Sequence, residues 1–567
     1  MKKNGAEIII SFLEFYGIRT IVGIPGGANL PIYDALHKSR LRHILARHEQ
    51  GAGFIAQGMA RSTGEPAVCL ATSGPGATNL LTAIADAYMD SVPVIAITGQ
   101  VPTSLSGTMA FQEVDTNNVF KPVTKKSYYA RNARELIEIL PQAFRIAKHG
   151  RPGPVLIDVP KDVQLARTVC PEWREFEQPE QLRPRVLDQQ IIDQISEQIN
   201  LSRKPVCYIG GGIIHAGAGH VLDDFIQKTH IPLTSTLMGL GAFPTRDAHC
   251  IGMLGMHGKA YTNRIMREAD LLIALGARFD DRATGKVQEF CPQAKIIHID
   301  IDPKEINKIK PADWSITADV KQALEGLIPR VVENDRRQWW DRVESIKRNT
   351  ASIPSYQDKA HAVQYIQAIG LMSGPEAIIT TDVGQHQMWV AQAYPFQHPR
   401  TLLTSGGLGT MGFGLPAAIG AALAHPHKKV ICFTGDGSLL MNIQELATLA
   451  ELNLNVTIVL MNNDALGLVR QQQELFYQKN YCATHFLQGP DFAAIAQNFG
   501  IKGVDLGEAC NKQETLAESL RTDGPCLINI PIDAQDNVWP IVPGGKGNGS
   551  MLFESEDQNH HLIRNDR

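Results

Sequence analysis

At 567 residues the chain is several times longer than one hydrophobic core organises, so about three or four domains are expected. A net charge of −4, with 44% hydrophobic and 20% charged residues, gives no electrostatic case for nucleic acid or a membrane surface. Nine isolated cysteines without a CxxC pair disfavour a disulfide framework and a zinc site, and no uncharged run of about 18 apolar residues offers a bilayer span.

The chain opens with MKKNGAEIIISFLEFYG, in which Lys2 and Lys3 precede an apolar run. Glu7, Glu14 and the lack of a small-residue cleavage site argue against a signal peptide, and a cytoplasmic location is expected. Short apolar runs that end in glycine or turn residues then alternate with helical patterns. They are PAVCLATSGPG (66–76), PVIAITG (93–99), PVLIDVP (154–160), PVCYIGGG (205–212) and DLLIALG (270–276). KIIHID (295–300), AIITTDVG (377–384), KVICFTGDG (429–437) and NVTIVLMNN (455–463) continue the series. This alternation predicts an α/β fold of doubly wound parallel sheets with helices on both faces. Two polar stretches, CPEWREFEQPEQLRPR (170–185) and roughly 331–356, are the expected linkers. They divide the chain into domains at 1–168, 186–330 and 356–545, with a polar, Gly-rich tail at 546–567.

The stretch ILARHEQGAGFIAQGMAR (44–61) predicts a helix on which Glu49 shares a face with Ala52, Gly53, Ala56 and Ala60. Small residues there suit close approach of another backbone. No cation on that helix faces the carboxylate, although burying an unpaired one is costly. Read alone, Glu49 is a surface carboxylate at the edge of an Ala/Gly seam. In the middle block, PVCYIGGGI ends a strand in three glycines and HIDID ends another in acids able to bind a ribose, which suggests a dinucleotide fold.

The third block carries the sharpest signal, at 429–463. An apolar strand runs into Gly435-Asp436-Gly437-Ser438, a helix is expected from near Leu439, and a second strand ends at Asn462-Asn463. In a right-handed βαβ unit Asp436 and Asn463 emerge at the same sheet edge. A carboxylate and an amide oxygen there suit a hard divalent cation that also takes diphosphate oxygens. Gly435 and Gly437 let the backbone approach phosphates, and the helix start offers free N–H groups. For the GDG alone, an ordinary βαβ turn with an Asp cap explains the residues equally well; the double asparagine tips the balance.

That spacing resembles the thiamine diphosphate motif, and the chain resembles the acetohydroxyacid synthase catalytic-subunit family over nearly its whole length. The likeness is carried by GIPGGANLPIYDAL (23–36), RHEQGAGFIAQGMAR (47–61), SGPGATN (73–79), AFQEVDT (110–116) and GRPGPVLIDVPKDVQ (150–164). GMLGMHG (252–258), GARFDDRATGK (276–286), VGQHQMW (383–389) and SGGLGTMGFGLPAAIGA (405–421) complete it in order. The resemblance implies pyrimidine-binding, FAD-binding and diphosphate-binding domains, with thiamine diphosphate, Mg2+ and FAD as cofactors. It implies decarboxylation of pyruvate and transfer of the two-carbon unit to a second 2-ketoacid. The products would be 2-acetolactate or 2-aceto-2-hydroxybutyrate, precursors in branched-chain amino acid biosynthesis.

Residue by residue, the family likeness assigns Glu49 to N1′ of the cofactor's aminopyrimidine. It assigns the carbonyl of Gly409 to the 4′-amino group, Met411 to the bend between the rings, and Gln385, His386, Gly435, Gly437 and Ser438 to the diphosphate. Asp436, Asn463 and the backbone carbonyl of Ala465 would hold the metal. Gly27, Phe111, Gln112, Lys161 and Met256 would line the substrate channel, and Arg282 would bind the acceptor carboxylate. Gln472 stands where many relatives carry a tryptophan in the acceptor pocket, and Met109 where most carry an aspartate. Arg151, the span His257–Arg278 with Gly258, and the span Asp300–Asp319 match the FAD contacts. The family also implies a homodimer or tetramer with sites between subunits and a small regulatory subunit.

Other thiamine diphosphate enzymes are the competing reading: a flavin-dependent pyruvate oxidase, a simple decarboxylase, or a flavin-free catabolic acetolactate synthase. The RFDDR segment with the flavin pattern opposes the last, and glyoxylate carboligase lacks the glutamate. A non-catalytic protein that keeps the fold is opposed by intact Glu49, Asp436 and Asn463.

Overall fold

All nine apolar runs are strands of parallel sheets in the structure, a computed structural model that describes residues 2–173, 187–351 and 361–554. Three six-stranded sheets follow one another along the chain. The first orders its strands Arg42–Leu45, Thr20–Gly23, Ala67–Ala71, Val94–Gln100, Val155–Pro160 and Lys126–Tyr129. The third runs Leu402–Leu403, Ile378–Thr381, Val430–Gly435, Val456–Asn462, Cys526–Pro531 and Lys502–Asp505. Numbered within each sheet, both read 2-1-3-4-6-5. The middle sheet, Cys250–Met253, Leu233–Ser235, Pro205–Ile209, Leu271–Leu275, Lys295–Asp300 and Trp314–Thr317, reads 3-2-1-4-5-6, the order of dinucleotide-binding domains. In each sheet the order reverses between its first strand and the neighbour across, and ligands bind beyond the carboxyl ends at that point.

The strands are almost fully buried because helices cover both faces; Val430–Gly435, for example, carries six buried residues in a row. The apolar start Gly5–Tyr16 is a helix whose Ile8, Ile9, Phe12 and Leu13 enter the first core. Among the described residues, no helix is long and apolar enough to cross a membrane.

The first and third units share a core in which Ala52 and Ile55 meet Leu415, Ala418 and Ile419. Helix Glu49–Thr63 lies so close to helix Gly414–Ala424 that a Cβ on Gly58 would sit 2.1 Å from the Ala417 carbonyl oxygen. A Cβ on Gly420 would sit 2.0 Å from that of Ile55. On the Glu49 side, Gly53 meets Leu80 and Ala83 of helix Pro75–Met89.

Several expectations are corrected. Residues 44–48 are not helical: Ile44 and Leu45 pair with strand Thr20–Gly23, and the helix starts at Glu49 with His48 as its cap. The helix expected from Leu439 begins three residues earlier, at Asp436. The expected linker 331–356 is a helix over Arg337–Ala351, and Trp339, Val343 and Ile346 bury themselves against the middle sheet. Only 170–173 of the other expected linker are described. The start of the polar tail is anchored too: Gly547 bridges Gly285, Asn548 donates to the Ala283 carbonyl, and Met551 is buried beside Ala260 and Val542.

Candidate active site

At the switch point of the third sheet, strand Ile378–Thr381 is followed by Asp382 and strand Val430–Gly435 by Asp436. Between them lies a cavity of about 110 Å3 lined by Gln385, His386, Met411, Gly435, Asp436, Gly437, Ser438, Asn463 and Ala465. Nine of the residues assigned to the diphosphate, the ring bend and the metal therefore meet in one place. The parallel register brings Gly435 opposite Met461, so the segments after the two strands leave side by side. The Ala465 N–H donates to Asp436 Oδ2 at 3.0 Å and to Asn463 Oδ1 at 3.2 Å.

Asp436 is 3% exposed, and its other oxygen accepts from the Gly437 N–H at 2.9 Å. Burial raises its carboxyl to about 6, which a bound cation would reverse by favouring the anion. Asn463 Nδ2 donates to Gln385 Oε1, and Gln385 Nε2 donates to the Asp536 carbonyl, so the amide oxygens of the site are held from behind. Burial lowers His386 to about 3, so its ring is neutral, and its Nε2 is buried without a hydrogen-bond partner. Ser438 Oγ donates to the Val383 carbonyl. Among the described residues there is no cluster of three or more His, Cys, Asp or Glu for a metal. A cation bound here would have one carboxylate, an amide and a carbonyl, and would need ligand oxygens to complete its shell.

Two groups absent from the sequence reading belong to this site. Gln471 is fully buried, accepts from Gln385 Nε2, and exchanges bonds with the Val538 backbone. It lies one helical turn after Gly467, whose missing Cβ makes room for Gln385 Oε1, so an i, i+4 reading of LGLVRQ could have found it. Asp382, fully buried, accepts from the N–H groups of Val383, Gly412 and Gly414 and ties the Met411 loop to the sheet edge.

Glu49 does not line this cavity within the chain. It is half-buried at the first turn of its helix and accepts from Asn79 Nδ2 at 3.0 Å. Gly409 does not line it either; it is exposed at φ 72°. The carboxyl edge of the first sheet gathers a second group: Gly27 after strand Thr20–Gly23, Lys161 after Val155–Pro160, and Gln112, whose backbone presses on Gly74. The loop there leaves Met109 95% and Phe111 88% exposed. In the middle unit, Arg282 Nη1 approaches Met256 Sδ at 3.5 Å and the Met256 N–H donates to the Arg282 carbonyl, so those two are together. Arg282 itself is exposed beside Asp281. Gln472 is exposed within the chain, one residue away from the buried Gln471.

A larger cavity of about 390 Å3 opens at the middle sheet's switch point, lined by Gly211, Gly212, Gly276, Arg151, Arg278, Asp300 and Asp319 among others. Gly276 has φ 57° and its Cα packs on Gly212, a close approach that only glycines allow. Arg151 is paired with Glu305 at 3.0 Å, and burial raises Asp300 to about 6. His257 and Gly258, assigned to the same ligand, do not line this cavity. Gln392 holds the His257 carbonyl, and burial lowers its imidazole to about 4.

The chain matches three family descriptions: "Thiamine pyrophosphate enzyme, N-terminal TPP binding domain" over 3–119, the central domain over 192–327, and the C-terminal TPP binding domain over 382–530. It is 53% identical to acetolactate synthase isozyme 1 large subunit of Escherichia coli, over 97% of this chain and 98% of that protein. It is 44% identical to isozyme 2 large subunit of the same organism, over 97% and 99%. A probable acetolactate synthase large subunit of Methanocaldococcus jannaschii is 43% identical, over 96% and 94%. The chain belongs to the acetolactate synthase large-subunit family of thiamine pyrophosphate enzymes.

Proposed function

We propose that the chain is an acetolactate synthase catalytic subunit, converting two pyruvates to 2-acetolactate and CO2, or pyruvate and 2-ketobutyrate to 2-aceto-2-hydroxybutyrate and CO2. The observation that carries this is the gathering of nine assigned residues around the cavity at the third sheet's switch point. Asp436, a buried carboxylate that no cationic side chain meets among the described residues, with the unpartnered His386 Nε2 and the glycines beside it, fits a Mg2+–diphosphate pair. Asp436, Asn463 and the Ala465 carbonyl would hold the metal. Thiamine diphosphate, when bound, supplies the carbon nucleophile that accepts the two-carbon unit as CO2 leaves. Glu49 would hold a proton at N1′ of the aminopyrimidine and so tune that ring as a base. Met411 would prop the bend between the rings, and the Gly409 carbonyl would accept from the 4′-amino group.

Glu49 lies outside the cavity in its own chain, which supports a site built from two copies, as in a homodimer or tetramer. In that arrangement the exposed Phe111 and half-buried Gln112, with Gly27 and Lys161, would face the partner's cofactor. Arg282 supplies a planar guanidinium for the acceptor carboxylate, with Met256 beneath it. The 390 Å3 cavity takes FAD: Arg151, Arg278 and Arg400 offer countercharge to a diphosphate, Asp300 and Asp319 acceptors for ribose. The condensation has no net redox change, so the flavin's role is structural. A small regulatory subunit and a cytoplasmic location belong to the same reading. The test incubates the protein with pyruvate, Mg2+, thiamine diphosphate and FAD and measures three products. Acetolactate is expected; acetaldehyde alone means a decarboxylase, and peroxide an oxidase.

A further inference from the structure

The segment 404–413 carries Gly409 and Met411 and is almost without regular structure. Four of its residues are glycines: Gly406, Gly407, Gly409 and Gly412. Close approach excludes a side chain at two of them: a Cβ on Gly407 would meet Asp90 Oδ1 at 2.7 Å and Met89 Cβ at 2.9 Å, and one on Gly412 would meet Asn442 Nδ2 at 2.7 Å. Such a chain is entropically expensive to hold in one shape. Something outside the segment must hold it.

Within the third unit, Asp382 holds the segment at Gly412 and Gln387 at Thr404 and Ser405; the anchors of its 405–410 stretch come mainly from the first unit. Helix Pro75–Met89 and its cap bring Asp86 and Asp90 against the segment, both with fully buried side chains. Asp90 Oδ1 accepts from the Gly407 N–H at 2.7 Å, and Oδ2 from the Gly406 N–H at 3.0 Å. Asp86 Oδ1 accepts from the hydroxyls of Ser405 and Thr410, and Ser405 Oγ accepts from the Thr410 N–H. Arg61 holds both carboxylates, donating from Nη2 to Asp86 Oδ2 at 3.0 Å and Asp90 Oδ2 at 2.9 Å. Its Nη1 donates to the Thr404 carbonyl, and its guanidinium lies 5.0 Å from the Phe413 ring centre. One trio thus grips the segment at 404, 405, 406, 407, 410 and 413. Arg61 is buried with Gln57 of the same helix, whose Oε1 accepts from it.

We propose that Asp86 and Asp90, held by Arg61, are positioning residues for the cofactor chemistry: they clasp segment 405–410 and so place the Gly409 carbonyl and Met411. This rests on the roles given above to those two groups. A carboxylate is required at Asp90 because two N–H groups and a guanidinium all donate to it; an amide can turn only one oxygen to them.

The test compares wild type, Asp90→Asn, and the double variant Ser405→Ala/Thr410→Val, which leaves the buried trio whole should the first not fold. In cofactor-free protein, amide hydrogen exchange at 405–410 is expected to quicken tenfold or more in the variants and to stay unchanged in helix Gly414–Ala424. With pyruvate, kcat is expected to fall tenfold or more while KM stays within about twofold. Unchanged exchange overturns the clasp; quickened exchange with wild-type kcat overturns the positioning role. Should wild type make no acetolactate, the proposed function fails instead. The thiamine diphosphate dissociation constant, read from quenching of Trp389 at the cavity wall, then replaces kcat. A value unchanged from wild type to variant overturns the positioning role.

Discussion

Gly420→Ala tests the seam that joins the first and third units. The new methyl would sit 2.0 Å from the Ile55 carbonyl oxygen, while ordinary contact begins at 3.4 Å. The obstacle is backbone and cannot turn aside, so the two helices must part by about 1 Å. A gap of that size forfeits roughly a quarter to a half of each dispersion contact across it, and overpacking of this kind costs about 1–3 kcal/mol. Ala52, Ile55, Leu415 and Ala418 all lie in the affected core, which favours the upper end. Helix propensity opposes this by about 1 kcal/mol in alanine's favour. The net expectation is a loss of about 2 kcal/mol, or roughly 4–8 °C in the midpoint of a unit this size. Large chains unfold irreversibly, so apparent midpoints are compared at one scan rate against Gly544→Ala, whose methyl meets nothing within 4 Å. A Gly420→Ala midpoint equal to or above that of Gly544→Ala would refute the reasoning.

Glu49→Gln is nearly isosteric and should bind thiamine diphosphate within a few-fold of wild type while kcat falls about 100-fold or more; wild-type turnover removes Glu49 from the mechanism. Asp436→Ala should lose Mg2+-dependent cofactor retention on gel filtration; retention equal to wild type places the metal elsewhere. Gln472→Trp, assayed with pyruvate and 2-ketobutyrate in competition, should raise the acetohydroxybutyrate share about tenfold or more through the added apolar contact. An unchanged ratio takes Gln472 out of the acceptor pocket. Asp158, fully buried and bonded by Thr98 and Gln100, is raised by burial to about 7. The folded protein then keeps a proton that the unfolded chain releases above about pH 4. Stability should fall as pH rises from about 4 to 7, by up to about 1.4 kcal/mol per pH unit, and level off above. Urea unfolding of Asp158→Asn should show a flatter dependence across that window; the wild-type slope in the variant would rule Asp158 out.

The parallel α/β class was legible because buried strands leave continuous apolar runs closed by glycine, as in KVICFTGDG and DLLIALG. Short edge strands such as Lys126–Tyr129 and Leu402–Leu403 were not, since they bury too little to imprint a pattern. The helix Arg337–Ala351 reads as a linker for a related reason: its polar residues outnumber the few, among them Trp339 and Val343, that touch the core. Turn chemistry is local, so GDG, the double asparagine and their βαβ spacing pointed to the sheet edge proposed to hold the cation and diphosphate. By itself the sequence determined the layer type and the residues at strand ends, because period and turn chemistry are written within a few residues. Tertiary structure alone decided which strand order each sheet takes, that Gln471 rather than Gln472 is buried beside Gln385, and that Arg61, Asp86 and Asp90 close on the Met411 segment. Those depend on contacts between groups as far as 343 residues apart, as Arg61 and Thr404 are, and no local pattern records them.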